Sequence, residues 1–193
     1  SYLGDYRKAI AYYEKALAIS EEIGDKKGKG NHLGNLGLAY SYLGDYRKAI
    51  AYYEKALAIS EEIGDKKGKG NHLGNLGLAY SYLGDYRKAI AYYEKALALN
   101  KEIGVPYGVP EGNLAEAYLA LDRDEDALAI YTKQNHSIRL GRYYLKKRDF
   151  KKAKGQFDRN REKYEKAKRA EFMLSQWIGL GLSHEGLKEY EEA

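Results

Sequence analysis

The segment KGNHLGNLGLAYSYLGDYRKAIAYYEKALAISEEI, Lys29 to Ile63, decides the fold. Its apolar residues recur at helical spacing on both sides of Gly44-Asp45, so it reads as two helices joined by a tight turn. The same text returns forty residues later, because residues 1–58 are identical to residues 41–98. Repetition at a fixed period sets the architecture before any local feature does. In the second full copy the first helix of the pair, helix A, is expected over roughly Lys69 to Leu83. Asp85 then caps helix B, YRKAIAYYEKALAISEEI, by accepting bonds from free N–H groups of its first turn. Gly64, after Ile63, is placed to take the left-handed conformation that ends a helix. Helix A is rich in glycine, which is costly inside a helix. Close packing is the useful explanation, with Gly37 and Gly77 letting a neighbouring backbone approach.

Between the pairs lies GDKKGKGN, at Gly24–Asn31 and again at Gly64–Asn71. Lysines among glycines suggest a phosphate loop, but the spacing fails. Gly24 and Gly28 enclose three residues rather than four, and Lys29 is followed by Gly30 rather than Ser or Thr. A dinucleotide fingerprint fails as well, since Gly34 comes one position too late. The segment is therefore expected to be the joint from helix B to helix A, with its lysines on solvated turns.

These residues resemble the tetratricopeptide repeat. Its pattern reads here as Leu36-Gly37, Tyr40, Gly44, Tyr46, Ala49, Tyr53 and Ala56, and again as Leu76-Gly77, Tyr80, Gly84, Tyr86, Ala89, Tyr93 and Ala96. The usual unit is about 34 residues. The longer helix B and the lysine-rich joint give a 40-residue form similar to the arrays of kinesin light chain and Pins/LGN proteins. The resemblance implies an all-α, right-handed superhelical solenoid of antiparallel helix pairs.

The chain divides into near-identical units over 1–104, the first lacking helix A, and divergent units over 105–193, the last lacking most of helix B. Leu114-Ala115, Tyr118, Ala127 and Tyr131 keep phase, with Asp122 at the turn position and Pro110 in the first turn of a helix A. Next come Leu140-Gly141, Tyr144, Phe150, Ala153 and Phe157, then Trp177, Leu180-Gly181 and Tyr190. From Ile138 to Ala193, through RLGRYYLKKRDFKKAKGQF, the chain also resembles repeat regions that precede caspase-like CHAT domains, although no catalytic residue carries over.

Composition excludes several classes. Cysteine is absent, which removes disulfides and thiolate chemistry and suits a reducing, cytoplasmic compartment. No apolar run reaches the roughly 18 residues of a membrane span, and no signal peptide is evident. Ser1 opens inside a motif, so the chain reads as a fragment. His32, His72 and His136 share one repeat position, which argues for packing rather than catalysis, and one histidine per repeat cannot assemble a metal site. No enzyme, metal or cofactor is expected. Residues 135–170 hold 14 Lys/Arg against 4 Asp/Glu, and in the absence of a nucleic-acid motif they read as solvated basic helices.

In the resembled family helix A lines a concave groove. The residues left over from packing there are Asn31, Asn35, Leu38 and Tyr42, then Asn71, Asn75, Leu78 and Tyr82, then Asn113, with Arg139, Arg142 and Lys146 further on. An asparagine carboxamide donates and accepts, so a ladder of them can bond the backbone of an extended peptide whatever its side chains. The expected function is a protein-interaction scaffold that takes an extended peptide or a partner helix. The competing readings are a purely structural array and, third, a basic groove for RNA. A head-to-tail self-contact is also expected, between an apolar stripe of Ile10, Tyr13 and Leu17 and the pair Trp177 and Leu180.

Overall fold

The computed structural model describes residues 2–105, 109–133 and 137–165. All regular structure among them is α-helical, in nine helices: α1 (Tyr2–Glu22), α2 (Lys26–Tyr42), α3 (Tyr46–Glu62), α4 (Lys66–Tyr82), α5 (Tyr86–Glu102), α6 (Val109–Ala120), α7 (Asp124–Lys133), α8 (Ser137–Lys146) and α9 (Phe150–Glu165). Tight turns join α1 through α5 in sequence and α8 to α9, the helix-turn-helix repetition of the all-α solenoid class expected from the repeat. Contacts partition the chain into two units, Ser1–Arg123 and Asp124–Ala193. The regularity of sequence ends near residue 104, but α6 still packs on α4 and α5 and belongs to the first unit.

The four junctions from α1 to α5 are built the same way. Asp45 and Asp85 accept from the N–H groups of Lys48 and Lys88 at 3.2 Å, and Asp25 and Asp65 accept from Gly28 and Gly68 at 2.9 Å. The left-handed residue after each helix is a glycine, with φ between 70° and 79° at Gly24, Gly44, Gly64, Gly84 and Gly104. In the α6–α7 and α8–α9 turns Asp122 and Arg148 take this conformation, each at φ 57°.

Two sequence expectations change here. Helix A starts at Lys66, three residues before the expected Lys69, so the lysines occupy its first turn and the joint shrinks to Gly64-Asp65. The cause is the cap: Asp65 bonds Gly68, and a Cβ at Gly68 would lie 2.3 Å from the Asp65 carboxylate, so the glycine makes room for the capping side chain. Nor are the lysines merely solvated. Lys26 meets Glu62 at 2.6 Å, Lys29 meets Glu21 at 2.8 Å, and Lys66 and Lys69 repeat both pairs with Glu102 and Glu61. These pairs lie on the surface, so they fix register more than they add stability.

The core explains the other glycines. Tyr53 and Tyr93 are fully buried, and a Cβ at Gly37 or Gly77 would sit 2.6 Å from their ring carbons. The close approach is therefore of a tyrosine ring on helix B, not of a second backbone. Each ring also reaches a serine on the facing helix, Ser41 or Ser81, at 3.4 Å. Outside this core, Tyr40 stacks on Tyr52 and Tyr80 on Tyr92, with centroids 5.3 and 5.4 Å apart.

The expected free stripe on α1 is also corrected. Ile10 is buried against Leu36 and Ala39 of α2, and Tyr13 and Leu17 pack half-buried on the same cluster. Periodicity identified the apolar residues of α1 but not which of them face forward onto α2. Trp177 and Leu180 lie outside the described residues, as do Pro106, His136 and Tyr190.

In the second unit α7 packs on α8 and α8 on α9. Ala153 and Phe157 of α9 bury against Tyr144 and Leu145. Gly141 sits under Phe157, where a Cβ would be 2.7 Å from the ring, the same device as Gly37 under Tyr53. Asp149 caps α9 through the Lys152 N–H at 3.1 Å.

Candidate functional site

In the first unit α2 approaches α4 and α4 approaches α6, whereas α1 and α3, like α3 and α5, make no such approach. The layer of α2, α4 and α6 is thus the more closely spaced one, and this unit curves toward it. All nine groove residues expected from the first unit's sequence lie on those three helices. Asn31, Leu38, Tyr42, Asn71 and Tyr82 are exposed, and Asn35, Asn75, Leu78 and Asn113 are half-buried. The two tyrosines are less free than expected. Tyr42 stacks on Tyr6 at 4.8 Å and Tyr82 on Tyr46 at 4.7 Å, which leaves one face of each ring to solvent and holds the ring rigid.

The structure gathers some of these residues and not others. A cavity of about 420 Å³ opens where α4 meets α6 and the end of α5. Its walls include Asn71, Asn75, Leu78 and Asn113, all expected, and Asn100 and Pro110, which sequence reasoning passed over. Asn31, Asn35, Leu38 and Tyr42 belong to the α2 segment beyond it. Arg139, Arg142 and Lys146 are on α8, in the second unit. Arg142 and Lys146 are exposed, and the Arg139 guanidinium lies over the Tyr131 ring at 5.8 Å.

The reason for a cavity at this place lies in one substitution. Between α2 and α4 the imidazole of His72 fills the notch at Gly34, where a Cβ would be 2.7 Å from the ring. Between α4 and α6 the corresponding notch is at Gly74, and it faces Pro110, whose Cγ stands 3.6 Å from such a Cβ. A short pyrrolidine replaces an imidazole, and the space it gives up becomes the cavity. At its other wall Asn100 stands where the earlier copies carry Ser20 and Ser60, and its Oδ1 comes within 2.9 Å of a Cβ placed on Gly70. The signal could have been found by aligning residues 104–113, two fewer than their counterparts, on 64–75, which puts Pro110 in the register of His72.

Among the described residues, every side chain lining the cavity is uncharged. Burial pushes the Tyr93 hydroxyl above the ordinary tyrosine range, against hydrogen bonds from Ser81 and Asn113 that pull it down. Tyr93 is thus a neutral hydroxyl near pH 7, and it holds the Asn113 carboxamide in place. His72 itself is buried, with no hydrogen-bond partner for Nδ1, and desolvation lowers its pKa more than the nearby Asp65 raises it. It is a neutral packing group. Among the described residues no group of three or more His, Cys, Asp or Glu could hold a metal, and no helix is long and apolar enough to cross a membrane. The site can offer amide donors and acceptors beside apolar surface, the chemistry of backbone recognition.

Comparison with known proteins agrees with this geometry. One tetratricopeptide repeat profile matches residues 1–62 and 30–102, and a second matches residues 75–135. No curated protein is a significant match to the chain. Among solved structures, BtubC (BKLC) from P. vanneervenii is similar over 97% of this chain and 86% of its own, with a TM-score of 0.78 at 19% identity. A putative kinesin light chain from Podosopora anserina with nearly identical TPR-like repeats is similar over 86% of this chain and 90% of its own, with a TM-score of 0.73 at 17% identity. A Pyrococcus horikoshii signal transduction ATPase with numerous domains and a tetratricopeptide repeat sensor is 27% identical, covering 80% of this chain but 24% of its own, with a TM-score of 0.62.

Proposed function

The chain belongs to the tetratricopeptide repeat family, and from that premise we propose that it is a protein–protein interaction scaffold holding an extended peptide along α2, α4 and α6. The fold is of a kind that generally binds rather than catalyses, and no catalytic residue is assigned. One observation carries the reading: the cavity between α4 and α6 sets four carboxamides, Asn71, Asn75, Asn100 and Asn113, beside Leu78, with no charge among the described residues of its walls. A peptide N–H and C=O can each find a partner there. An uncharged side chain of the ligand fills the space left by Pro110, while Tyr42 and Tyr82 offer rigid ring faces along the same layer. An acidic or phosphorylated ligand is disfavoured at this point because nothing in the walls neutralises it.

The absence of cysteine fits a cytoplasmic setting. The test is calorimetry with a peptide selected against the chain. Asn71→Ala with Asn75→Ala should weaken binding by about 1 kcal/mol per lost hydrogen bond. Affinity should change little between low and high salt. A steep loss of affinity with salt would point instead to phosphate contacts and the RNA reading.

A further inference from the structure

The internal repeat presents one helical wall twice, once filled and once open. Helices α2 and α4 have the same sequence, KKGKGNHLGNLGLAYSY. Gly34 with Asn31, Asn35 and Leu38 on α2 therefore recurs on α4 as Gly74 with Asn71, Asn75 and Leu78. On α2 this wall holds a ring. The His72 imidazole enters the Gly34 notch, with Cε1 2.7 Å and Nδ1 3.3 Å from the position of a Cβ. On α4 the same wall bounds the cavity of about 420 Å³. Among the described residues, only Pro110 Cγ comes near the Gly74 notch, at 3.6 Å.

The facing wall of the cavity differs from its counterpart at three positions. In the repeat register Asn100 replaces Ser60, Val105 replaces Asp65 and Pro110 replaces His72. Pro110 gives up the space of a ring. Asn100 adds a carboxamide, which donates and accepts, where the earlier step has a hydroxyl. Val105 removes a carboxylate, and Asp65 is the group whose charge favours the protonated form of His72. Tyr93 is the one titratable group among the described residues of the walls, and its hydroxyl is neutral.

We propose that the Gly74 notch seats the neutral imidazole of a histidine in the bound peptide, in the place that His72 takes on α2. The inference rests on the peptide-scaffold reading and names the anchor that this site selects. A neutral imidazole has one donor and one acceptor, and the carboxamides around the cavity can meet both. An aliphatic side chain would leave those amides unpaired, and an imidazolium would find no charge to offset its desolvation.

The test titrates the chain with N-acetylhistidine methylamide at pH 7.5 and maps amide chemical shifts, with the leucine and phenylalanine analogues run beside it. A ligand this small is limited to roughly millimolar affinity. The histidine compound should saturate, shift Gly74, Asn75, Asn100 and Asn113, and bind roughly tenfold tighter than either analogue, the worth of one good hydrogen bond. Gly74→Ala puts a methyl into the notch without a clash, so it should abolish binding and leave the melting temperature undiminished. At pH 5.5 a ring with the ordinary pKa near 6.5 is about nine-tenths protonated, so affinity should fall about tenfold. Repeating this step in His72→Leu separates protonation of the ligand from that of the chain. No saturation by about 20 mM, binding that ignores Gly74→Ala, equal binding of either analogue, or unchanged affinity at pH 5.5 overturns the proposal. If the histidine compound fails while a selected peptide still maps to Asn75 and Asn113, this inference falls and the scaffold reading stands. If the compound binds and no peptide is enriched, the reverse holds.

Discussion

Gly77→Ala should destabilise the protein although it places a better helix former in mid-helix. Alanine gains about 0.8–1 kcal/mol over glycine from helix propensity. Against this, the new methyl lies 2.6, 2.6 and 3.0 Å from three carbons of the Tyr93 ring. Tyr93 has no exposed surface, and its hydroxyl is tied to Ser81, so the ring has little room to retreat. Overpacking of this kind costs about 1–3 kcal/mol, and with three atoms in conflict the upper half of that range applies. The net expectation is a loss of about 1–2 kcal/mol. Gly155→Ala is the control: it sits in α9, exposed, with nothing within 4 Å of the new methyl. That change should stabilise by about 0.5–1 kcal/mol. Urea unfolding of both variants measures the difference, and a Tyr93→Leu background should remove most of the Gly77→Ala penalty. If Gly77→Ala proves neutral or stabilising like Gly155→Ala, the ring-under-glycine account of the core is wrong.

Other expectations follow from single side chains. The folded-state pKa of His72 lies below the ordinary histidine range near 6.5, so the unfolded chain takes up the proton first. Stability is therefore full above about pH 6.5 and falls as pH drops below it, and His72→Leu should flatten that part of the pH–melting curve. Asp65→Ala should cost about 1 kcal/mol through loss of the cap to Gly68, read by thermal unfolding. Pro110→His should refill the notch at Gly74 and weaken peptide binding without destabilising the fold, as comparison of affinity and melting temperature would show.

Much of the fold was legible in the sequence because its signals are local. Gly44-Asp45 and Gly64-Asp65 specify a left-handed residue and a cap within two positions, and forty-residue identity then copies the result along the chain. The start of helix A at Lys66 was misplaced because Gly68 and Gly70 read as loop. Their role depends on the Asp65 carboxylate and the Asn100 amide, one nearby and one on another helix. The direction of Ile10 could not be read for a similar reason: α1 is apolar on two sides, and only packing against Leu36 and Ala39 chooses between them. The asparagines were found by elimination, as residues left over from packing. The cavity was missed because it arises from something lost, the imidazole replaced by Pro110, in a repeat unit two residues shorter than its predecessors.

The most direct test of the scaffold reading is selection from an unbiased peptide-display library, followed by amide chemical-shift mapping of the selected peptide on the chain. The account predicts a ligand with an uncharged anchor residue, shifts concentrated at Asn71, Asn75, Leu78 and Asn113, and loss of binding in the Asn71→Ala, Asn75→Ala double variant. Failure to enrich any sequence, or a ligand that maps elsewhere and ignores those asparagines, would contradict it.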